Sequence, residues 1–144
     1  MSKEILIITN YFPPEKGAAS NRIYTMAESY LEKDYNVSVV CPLPNYPQGS
    51  IFKGYKNKFS CVENFEGIKI KRLWIFASKS KRKIIRLITM LSFGLNLFFY
   101  LLFRKAPKQV IIQCSTLFVG FFAVLISRLK RKTIILNVSD LWPL

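Results

Sequence analysis

The fold is decided by residues 5–41, which read ILIITNYFPPEKGAASNRIYTMAESYLEKDYNVSVVC. The first five residues form an almost continuous apolar run, which is typical of a parallel strand covered on both faces. Two adjacent prolines in the following loop prevent a helix from starting there. Apolar residues at spacings of three and four then predict a helix that begins with Ser20 or Asn21 as its cap and ends near Lys33.

A second strand, Val37–Cys41, completes a βαβ unit, whose crossover is expected to be right-handed. The same alternation continues to the end of the chain. We predict a hairpin of Cys61–Phe65 and Ile68–Trp74, a helix from about residue 80 to 104, a strand Gln109–Gln113, a helix Leu117–Leu129 and a strand Thr133–Val138. The sequence therefore predicts an α/β fold over residues 1–144: a single domain with a Rossmann-like parallel sheet flanked by helices and a small β-hairpin insertion.

Composition narrows the class of protein further. The chain has 144 residues, 51% of them hydrophobic, and a formal net charge of +14. Such an excess of positive charge indicates an anionic partner. A basic chain with a mean hydropathy of +0.21 favours a membrane surface over nucleic acid. The absence of histidine excludes histidine bases, histidine metal ligands and every Ser-His or Cys-His pair. Three widely spaced cysteines predict a reduced, cytoplasmic location and no metal site.

The positive charge is concentrated in the second half of the chain, where no Asp or Glu occurs between Ile68 and Ser139. Four basic clusters lie beside apolar runs, which predicts an anion-binding surface. They are Lys69, Lys71 and Arg72; Lys79, Lys81, Arg82, Lys83 and Arg86; Arg104, Lys105 and Lys108; and Arg128, Lys130, Arg131 and Lys132. We predict that the second cluster docks on an anionic membrane. Solvated helix ends are the alternative interpretation of each cluster.

Residues 87–103 contain no charge and read LITMLSFGLNLFFYLLF. A membrane-spanning helix needs about 17–25 apolar residues, so this segment is at the lower limit. A span would place strands of one sheet on opposite sides of the membrane. We therefore favour a helix that lies against the sheet and is partly exposed to the bilayer interface, with plain core packing as the alternative.

Candidate site residues follow the predicted strands, where α/β proteins usually bind ligands. The loop after the first strand contains Gly17 and leads into a helix, whose free N–H groups suit an anion. Arg22 is predicted in the first turn of that helix, where it can hold a phosphate or carboxylate. Asp140 directly follows the last strand. The first loop lacks the glycine patterns of NAD-binding and P-loop proteins.

Five segments together resemble the N-terminal domain of family 4 (GT4) glycosyltransferases, which have the two-domain GT-B fold. The likeness is greatest to the branch that builds capsule, O-antigen and other exopolysaccharides. The segments read YFPPEKGAASNR at 11–22, PNYPQG at 44–49, GY at 54–55, LFVG at 117–120 and DLWP at 140–143.

The resemblance implies roles for particular residues. Gly17, Ala18 and Ala19 would lie near the donor phosphates and the transferred sugar, with Arg22 nearby. Asn45 and Tyr46 would bind substrate, and Asp140 would face the cleft as a catalytic residue. Many relatives have His or Arg before this Asp, where this chain has Ser139. The resemblance implies no metal and no cofactor.

The resemblance also implies a reaction and its partners. A nucleotide-sugar donor would give its sugar to a lipid-linked saccharide acceptor in surface polysaccharide biosynthesis, at the inner face of the cell membrane. The donor-binding domain of the family has no counterpart in residues 1–144, so we expect little transfer activity from the chain alone. Three alternatives stay open: a non-catalytic, basic, membrane-associated accessory protein, a subunit of a split glycosyltransferase, and a nucleic-acid module. The sequence leaves undecided the donor and acceptor identity, the anomeric outcome and the oligomeric state.

Overall fold

The computed structural model describes residues 3–45, 49–104, 107–114 and 117–138. Strands and helices alternate along the chain as the sequence predicts. Their order is β1 (Lys3–Ile8), α1 (Ala18–Glu32), β2 (Tyr35–Pro42), β3 (Ser60–Phe65), β4 (Ile68–Leu73), α2 (Lys83–Phe103), β5 (Gln109–Cys114), α3 (Leu117–Leu129) and β6 (Thr133–Val138).

The strands form one sheet of six in the order β3-β4-β2-β1-β5-β6. All neighbouring pairs are parallel except β3 and β4, which form an antiparallel hairpin. The predicted α/β fold with a Rossmann-like sheet is therefore confirmed. The predicted hairpin is present too, and it extends the main sheet because β4 pairs with β2. The ends of the parallel strands meet at one edge, which we call the carboxyl rim.

One face of the sheet packs against α1. Apolar side chains of this helix recur at spacings of three and four and so form a single stripe towards the strands. The buried side chains on this face are Ile5, Ile7, Phe12, Ile23, Ala27, Val37, Val39, Cys41, Ile68, Ile70 and Ile111. Every residue of Ile5–Ile8 is buried because helices cover both faces of β1.

The other face packs against α2 and α3. Both helices return from the carboxyl rim and therefore lie side by side in the same direction. The rings of Phe98 and Phe122 pack edge to face, with 6.0 Å between their centroids. The buried side chains on this face are Leu6, Ile8, Val40, Leu73, Ile75, Phe93, Leu97, Leu101, Val110, Ile112, Ala123 and Ile126. Only four residues of α2 are buried, so most of its apolar surface points outward.

Two helix boundaries differ from the prediction. Helix α1 begins at Ala18, with Gly17 at the cap, instead of after Ser20 or Asn21. Gly17 has φ 144, a conformation that glycine adopts without a steric penalty, so the chain can turn into the helix earlier. Helix α2 begins at Lys83, a turn later than predicted, because Ser78 and Ser80 bind the backbone of residues 80 and 82 in tight turns.

Candidate functional site at the carboxyl rim

Two loops meet at the carboxyl rim through the side chain of Glu15, which is only 2% exposed. One carboxylate oxygen of Glu15 accepts a hydrogen bond from the backbone N–H of Asn45 at 3.2 Å. The other oxygen accepts from the N–H of Phe12 at 3.4 Å. The loop after β1 and the loop after β2 are therefore joined at this point.

This junction brings together two segments of the family resemblance, residues 11–22 and 44–49. Asn45 is half-buried, and its side-chain amide donates to the carbonyl of Leu43 at 2.8 Å. Gly17 is exposed and caps α1, and its carbonyl accepts the N–H of Asn21 at 3.0 Å. The loop that leads into α1 is thus joined to the loop that carries Asn45. Glu15 was not predicted from the sequence, although an acid between two prolines and a glycine is an unusual loop residue.

The remaining residues of the first loop contribute mainly backbone. Ala18 and Ala19 form the first turn of α1, where their N–H groups have no partner within the helix. Arg22 is exposed and begins the second turn, so its predicted place in the first turn is wrong. The cause is the earlier start of α1, which moves Arg22 one turn away from the helix end. Tyr46 and Asp140, predicted to bind substrate and to act in catalysis, lie outside the described residues.

A buried arginine, Arg72, binds the loops of the rim through hydrogen bonds. Arg72 of β4 is fully buried, and its Nε donates to a carboxylate oxygen of Glu63 at 2.9 Å. Its Nη1 donates to the carbonyl of Pro42 at 3.3 Å, and its Nη2 donates to the carbonyl of Pro13. The guanidinium lies over the ring of Tyr55, 5.5 Å from the centroid. One side chain thus ties together the first loop, the end of β2, β3 and the long loop of residues 43–59.

Arg72 was predicted to belong to an anion-binding surface, and this prediction is wrong because its side chain is fully buried. The segment IKIKRL alternates, so that Ile68, Ile70 and Arg72 share the buried face. That alternation is the signal that identifies Arg72 as a buried residue. Lys71 points to the other face, where its ammonium lies 5.8 Å from the ring centroid of Tyr100.

The pKa values of the titratable groups around Arg72 are shifted by their hydrogen bonds and by burial. Burial and a hydrogen bond to Glu63, 2.5 Å long, raise the pKa of Tyr55 to about 12. Burial alone would raise the pKa of Glu63, but hydrogen bonds from Tyr55 and Arg72 outweigh it and hold that pKa below its ordinary value. Glu63 is therefore charged and Tyr55 protonated at neutral pH, opposite a charged guanidinium. The carboxylate and guanidinium charges cancel each other. A phenol with a raised pKa and a carboxyl with a lowered pKa do not exchange protons readily at neutral pH.

The two described cysteine thiols do not form a nucleophilic site. Burial raises the pKa of the Cys41 thiol to about 12, although Arg72 lies beside it with Nη1 3.5 Å from the sulfur. Burial also raises the pKa of Cys61. A thiol with a raised pKa is a weak nucleophile. Among the residues that the structure describes, no three His, Cys, Asp or Glu side chains gather where a metal ion could bind.

The predicted membrane-docking cluster lies where the chain leaves the rim and enters α2. All five of its members, Lys79, Lys81, Arg82, Lys83 and Arg86, are exposed; we call them the basic segment. Next to it, α2 and α3 expose a broad apolar surface, the apolar face. Its large exposed residues are Ile84, Leu87, Ile88, Leu95, Phe99, Leu102 and Phe103 of α2, and Phe121, Leu125 and Leu129 of α3.

The other end of the apolar face is basic as well. Lys130 donates to the carbonyl of Arg104 at 2.5 Å, which joins the ends of α3 and α2. Arg128 and Arg131 are exposed at the same end. Positive charge therefore borders the apolar face at the start of α2 and at the ends of both helices.

Helix α2 is long and apolar enough to span a membrane by length and composition, and 22% of its most apolar 18-residue window is buried. Its inner side, however, belongs to the sheet core. Phe93, Leu97 and Leu101 pack against the strands, and the strands before and after α2 lie in the same sheet. Asn96 and Ser92 also bind the backbone of Trp74 and Phe76. A span would break all of these contacts.

Comparisons with known proteins support the fold alone. No family model and no curated protein matches the chain. A solved structure, the C-terminal domain (residues 78–226) of a hydrogenase from Pyrococcus furiosus, is similar with a TM-score of 0.58. The match is 11% identical and covers 94% of this chain and 91% of the hydrogenase domain. At this identity, the similarity shows a shared Rossmann-like α/β architecture and carries no information about activity.

Proposed function

We propose that the chain is the acceptor-side domain of a glycosyltransferase that moves a sugar from a nucleotide-sugar to a lipid-linked saccharide in surface polysaccharide biosynthesis. In this proposal it works at the inner, anionic face of the cell membrane. The single observation that carries the proposal is the apolar face, which is bordered by the basic segment and lies next to the rim where Glu15 joins the loops of Gly17 and Asn45.

The physical support for membrane docking comes from combining two weak attractions. An interfacial helix binds by inserting apolar side chains and by attracting anionic lipid to flanking Lys and Arg. Burying one large apolar side chain contributes about 1.5–3 kcal/mol, and each basic residue near the surface adds about 1 kcal/mol. The apolar face and the basic segment supply several of each on adjoining surfaces.

The support for sugar transfer comes from the resemblance of five sequence segments and from the rim. Gly17 and Asn45 belong to two different segments of that resemblance, and Glu15 holds their loops together. A helix start with free N–H groups suits the diphosphate of a nucleotide-sugar or of a polyprenyl-linked acceptor. The residues that bind the nucleotide would be supplied by a donor-binding domain.

Docking is tested by flotation with sealed vesicles of phosphatidylglycerol and phosphatidylcholine in equal parts. We expect the wild-type chain to float with these vesicles and to bind vesicles of pure phosphatidylcholine much less. A variant with Lys81→Glu, Arg82→Glu and Lys83→Glu should lose most of this binding. A matched control carries the same number of reversals at the exposed residues Lys33, Lys53 and Lys56, and should keep it.

Sugar transfer is tested with membranes from cells that make the protein, supplied with a panel of radiolabelled nucleotide-sugars. We expect label in the lipid extract with one donor, and none from cells that lack the gene. Asp140→Ala and Arg22→Ala should each lower the rate without lowering the amount of folded protein. Vesicle binding without any transfer would favour the non-catalytic accessory protein, and salt-sensitive binding to nucleic acid without vesicle binding would favour the nucleic-acid module.

A further inference from the structure

The long loop of residues 43–59 extends the rim towards the basic segment. Its start is closed by two backbone hydrogen bonds, from the N–H of Gly49 to the carbonyl of Asn45 at 2.8 Å and from Phe52 to Pro44 at 2.9 Å. Ile51 packs against the core on the side of α2 and α3. The loop therefore passes from the side of Glu15 to the side where the basic segment begins.

Gly49 is the point at which the loop touches the basic segment. A Cβ atom at this position would lie 2.6 Å from the carbonyl oxygen of Ser78 and 3.1 Å from the Cα of Lys79. The neighbouring atoms are backbone, so they have little freedom to move aside. Gly49 also has φ +72, which an L-residue rarely adopts. Both observations require glycine at this contact.

A continuous series of contacts thus connects the basic segment with the first loop. The backbone of Ser78 and Lys79 packs on Gly49, Gly49 binds Asn45, and Asn45 binds Glu15 in the first loop. The segment from Ser78 to Arg82 is itself ordered by the two serine turns that precede α2. Every link is a backbone contact or a hydrogen bond from a backbone N–H, so a change in order at one end can reach the other.

We propose that Gly49 is a positioning residue through which docking of the basic segment on an anionic membrane holds Asn45 and the first loop in place. The inference rests on the proposed function, since it assumes that the basic segment meets anionic lipid. It adds that the rim and the membrane contact are energetically coupled. A lipid-linked acceptor would then meet an ordered rim only on protein that is already docked.

The experiment measures hydrogen exchange of the chain with and without vesicles of phosphatidylglycerol and phosphatidylcholine. The reporter amides are those of Asn45 and Gly49, which donate hydrogen bonds in the series, and that of Phe52, which closes the same loop on Pro44. We expect docking to slow the exchange of these amides by about fivefold or more, the lower end of the usual coupling between two sites. Unchanged exchange at these amides on protein that binds the vesicles would overturn the inference while leaving membrane docking intact.

The decisive variant is Gly49→Ala, and Gly54→Ala is its matched control. Gly54 lies in the same loop with φ +98, but nothing lies within 4 Å of a Cβ added there. Both variants strain the backbone, and only Gly49→Ala pushes the loop away from Ser78. We expect Gly49→Ala to abolish the vesicle-induced protection of Asn45. Its vesicle affinity should fall by the same factor as the protection that is lost, because the coupling is reciprocal.

Equal loss of protection in Gly54→Ala would assign the effect to strain and overturn the inference. If Gly49→Ala does not fold, Glu15→Gln tests the same coupling, because it weakens the hydrogen bond between Glu15 and Asn45 at the other end of the series. In that variant we expect Gly49 to stay protected by vesicles while Asn45 loses its protection. Failure of every variant, wild type included, to bind vesicles would instead reject the proposed function.

Discussion

At the scale of single residues, Arg72 has the largest structural role among the described charged residues. It is fully buried and contacts four separate segments of the chain. A buried charge is tolerated only when its partners offset the loss of water. Here Glu63, two carbonyl groups and an aromatic ring do so.

Replacing Arg72 by methionine should destabilise the protein by about 3–5 kcal/mol, because Glu63 and two carbonyl groups would lose their donor. Arg72→Lys keeps the charge but not the planar fork, and we expect it to recover only part of that loss. Urea denaturation followed by circular dichroism measures both. A control variant, Lys71→Met, removes a half-exposed charge from the neighbouring position and should change the free energy of unfolding by less than about 1 kcal/mol.

The tyrosine that stacks on this arginine should titrate abnormally. Because the pKa of Tyr55 is raised to about 12, the phenol contributes stability that is present below the ordinary pKa of 10.0 and is lost as the pH rises towards 12. Phenolate absorbance in wild type and in Tyr55→Phe gives the titration of this residue by difference. We expect Glu63→Gln to bring that pKa down towards its ordinary value. An unchanged titration in Glu63→Gln would contradict the assigned hydrogen bond.

The carboxyl group of Glu63 gives the opposite pH dependence of stability, at low pH. The pKa of Glu63 is lowered in the folded protein, so its contribution is present above the ordinary pKa of 4.5 and is lost as the pH falls through the lowered value. The stability difference between wild type and Glu63→Gln should therefore shrink on acidification. Denaturation midpoints measured from neutral pH down to acid test this, and a constant difference would contradict it.

Individual residues were predicted from sequence with uneven success. Gly17 was selected by its position after a strand and Asn45 by the family resemblance, and Glu15 joins their two loops at the rim. Glu15, which is buried, and Glu63, which is partly exposed, were missed because an acid with partners looks like a solvated one in the sequence. Tyr55 and Arg72 are 8 and 9 residues from Glu63, and Asn45 is 30 residues from Glu15. Spacing patterns report only local neighbours, so they carry no information about such pairs.

At the scale of elements, α2 combines a buried side and an exposed apolar side. Phe93, Leu97 and Leu101 face the sheet, whereas Leu95 and Phe99 are about half exposed. A helix that is apolar all round is expected to be buried on all sides or to meet lipid. The described residues cover only one side of α2.

The two sides of α2 should respond differently to substitution. Leu97→Ala removes a fully buried side chain and should lower the free energy of unfolding by about 2–5 kcal/mol. Phe99→Gln changes an exposed side chain and should alter stability little, yet weaken binding to anionic vesicles. Thermal denaturation and vesicle flotation measure the two effects. Phe65→Gln, at an exposed apolar residue of β3, is the matched control and should leave flotation unchanged.

The elements themselves were largely predictable from sequence, because strands and helices follow local periodicity. The strands match within two residues, and the hairpin turn at Glu66 and Gly67 is where it was expected. The start of α1 was misplaced, since a cap by Ser or Asn is usual and a glycine cap is less so. The position of the hairpin within the main sheet was also missed, since strand pairing is set by contacts between distant parts of the chain.

At the scale of the whole molecule, charge and apolar surface occur on the same side. The basic residues at the start of α2 and at the ends of α2 and α3 border the apolar face, while α1 covers the opposite face of the sheet. This asymmetry predicts a docked orientation in which α2 lies along the bilayer surface. The rim would then be perpendicular to the membrane, with the basic segment at the contact.

The depth at which α2 lies in the bilayer distinguishes this interfacial orientation from a membrane-spanning helix. In a chain with Trp74→Phe and Trp142→Phe, a tryptophan introduced by Leu95→Trp becomes the only one, because the protein has two. An interfacial helix buries its apolar side about 5–10 Å into the headgroup and acyl boundary. We therefore expect lipids labelled near the headgroup to quench this fluorescence more than lipids labelled at the acyl terminus. Stronger quenching at the acyl terminus would indicate a span.

The exposed apolar face also determines how the purified protein should be handled. In a dilute, lipid-free buffer these side chains have only each other to contact, so copies of the chain will cluster and elute early in gel filtration. Such clusters would be a product of the buffer, and they should separate into monomers when small bicelles are added. Concentration and crystallisation are therefore best attempted in the presence of short-chain lipid.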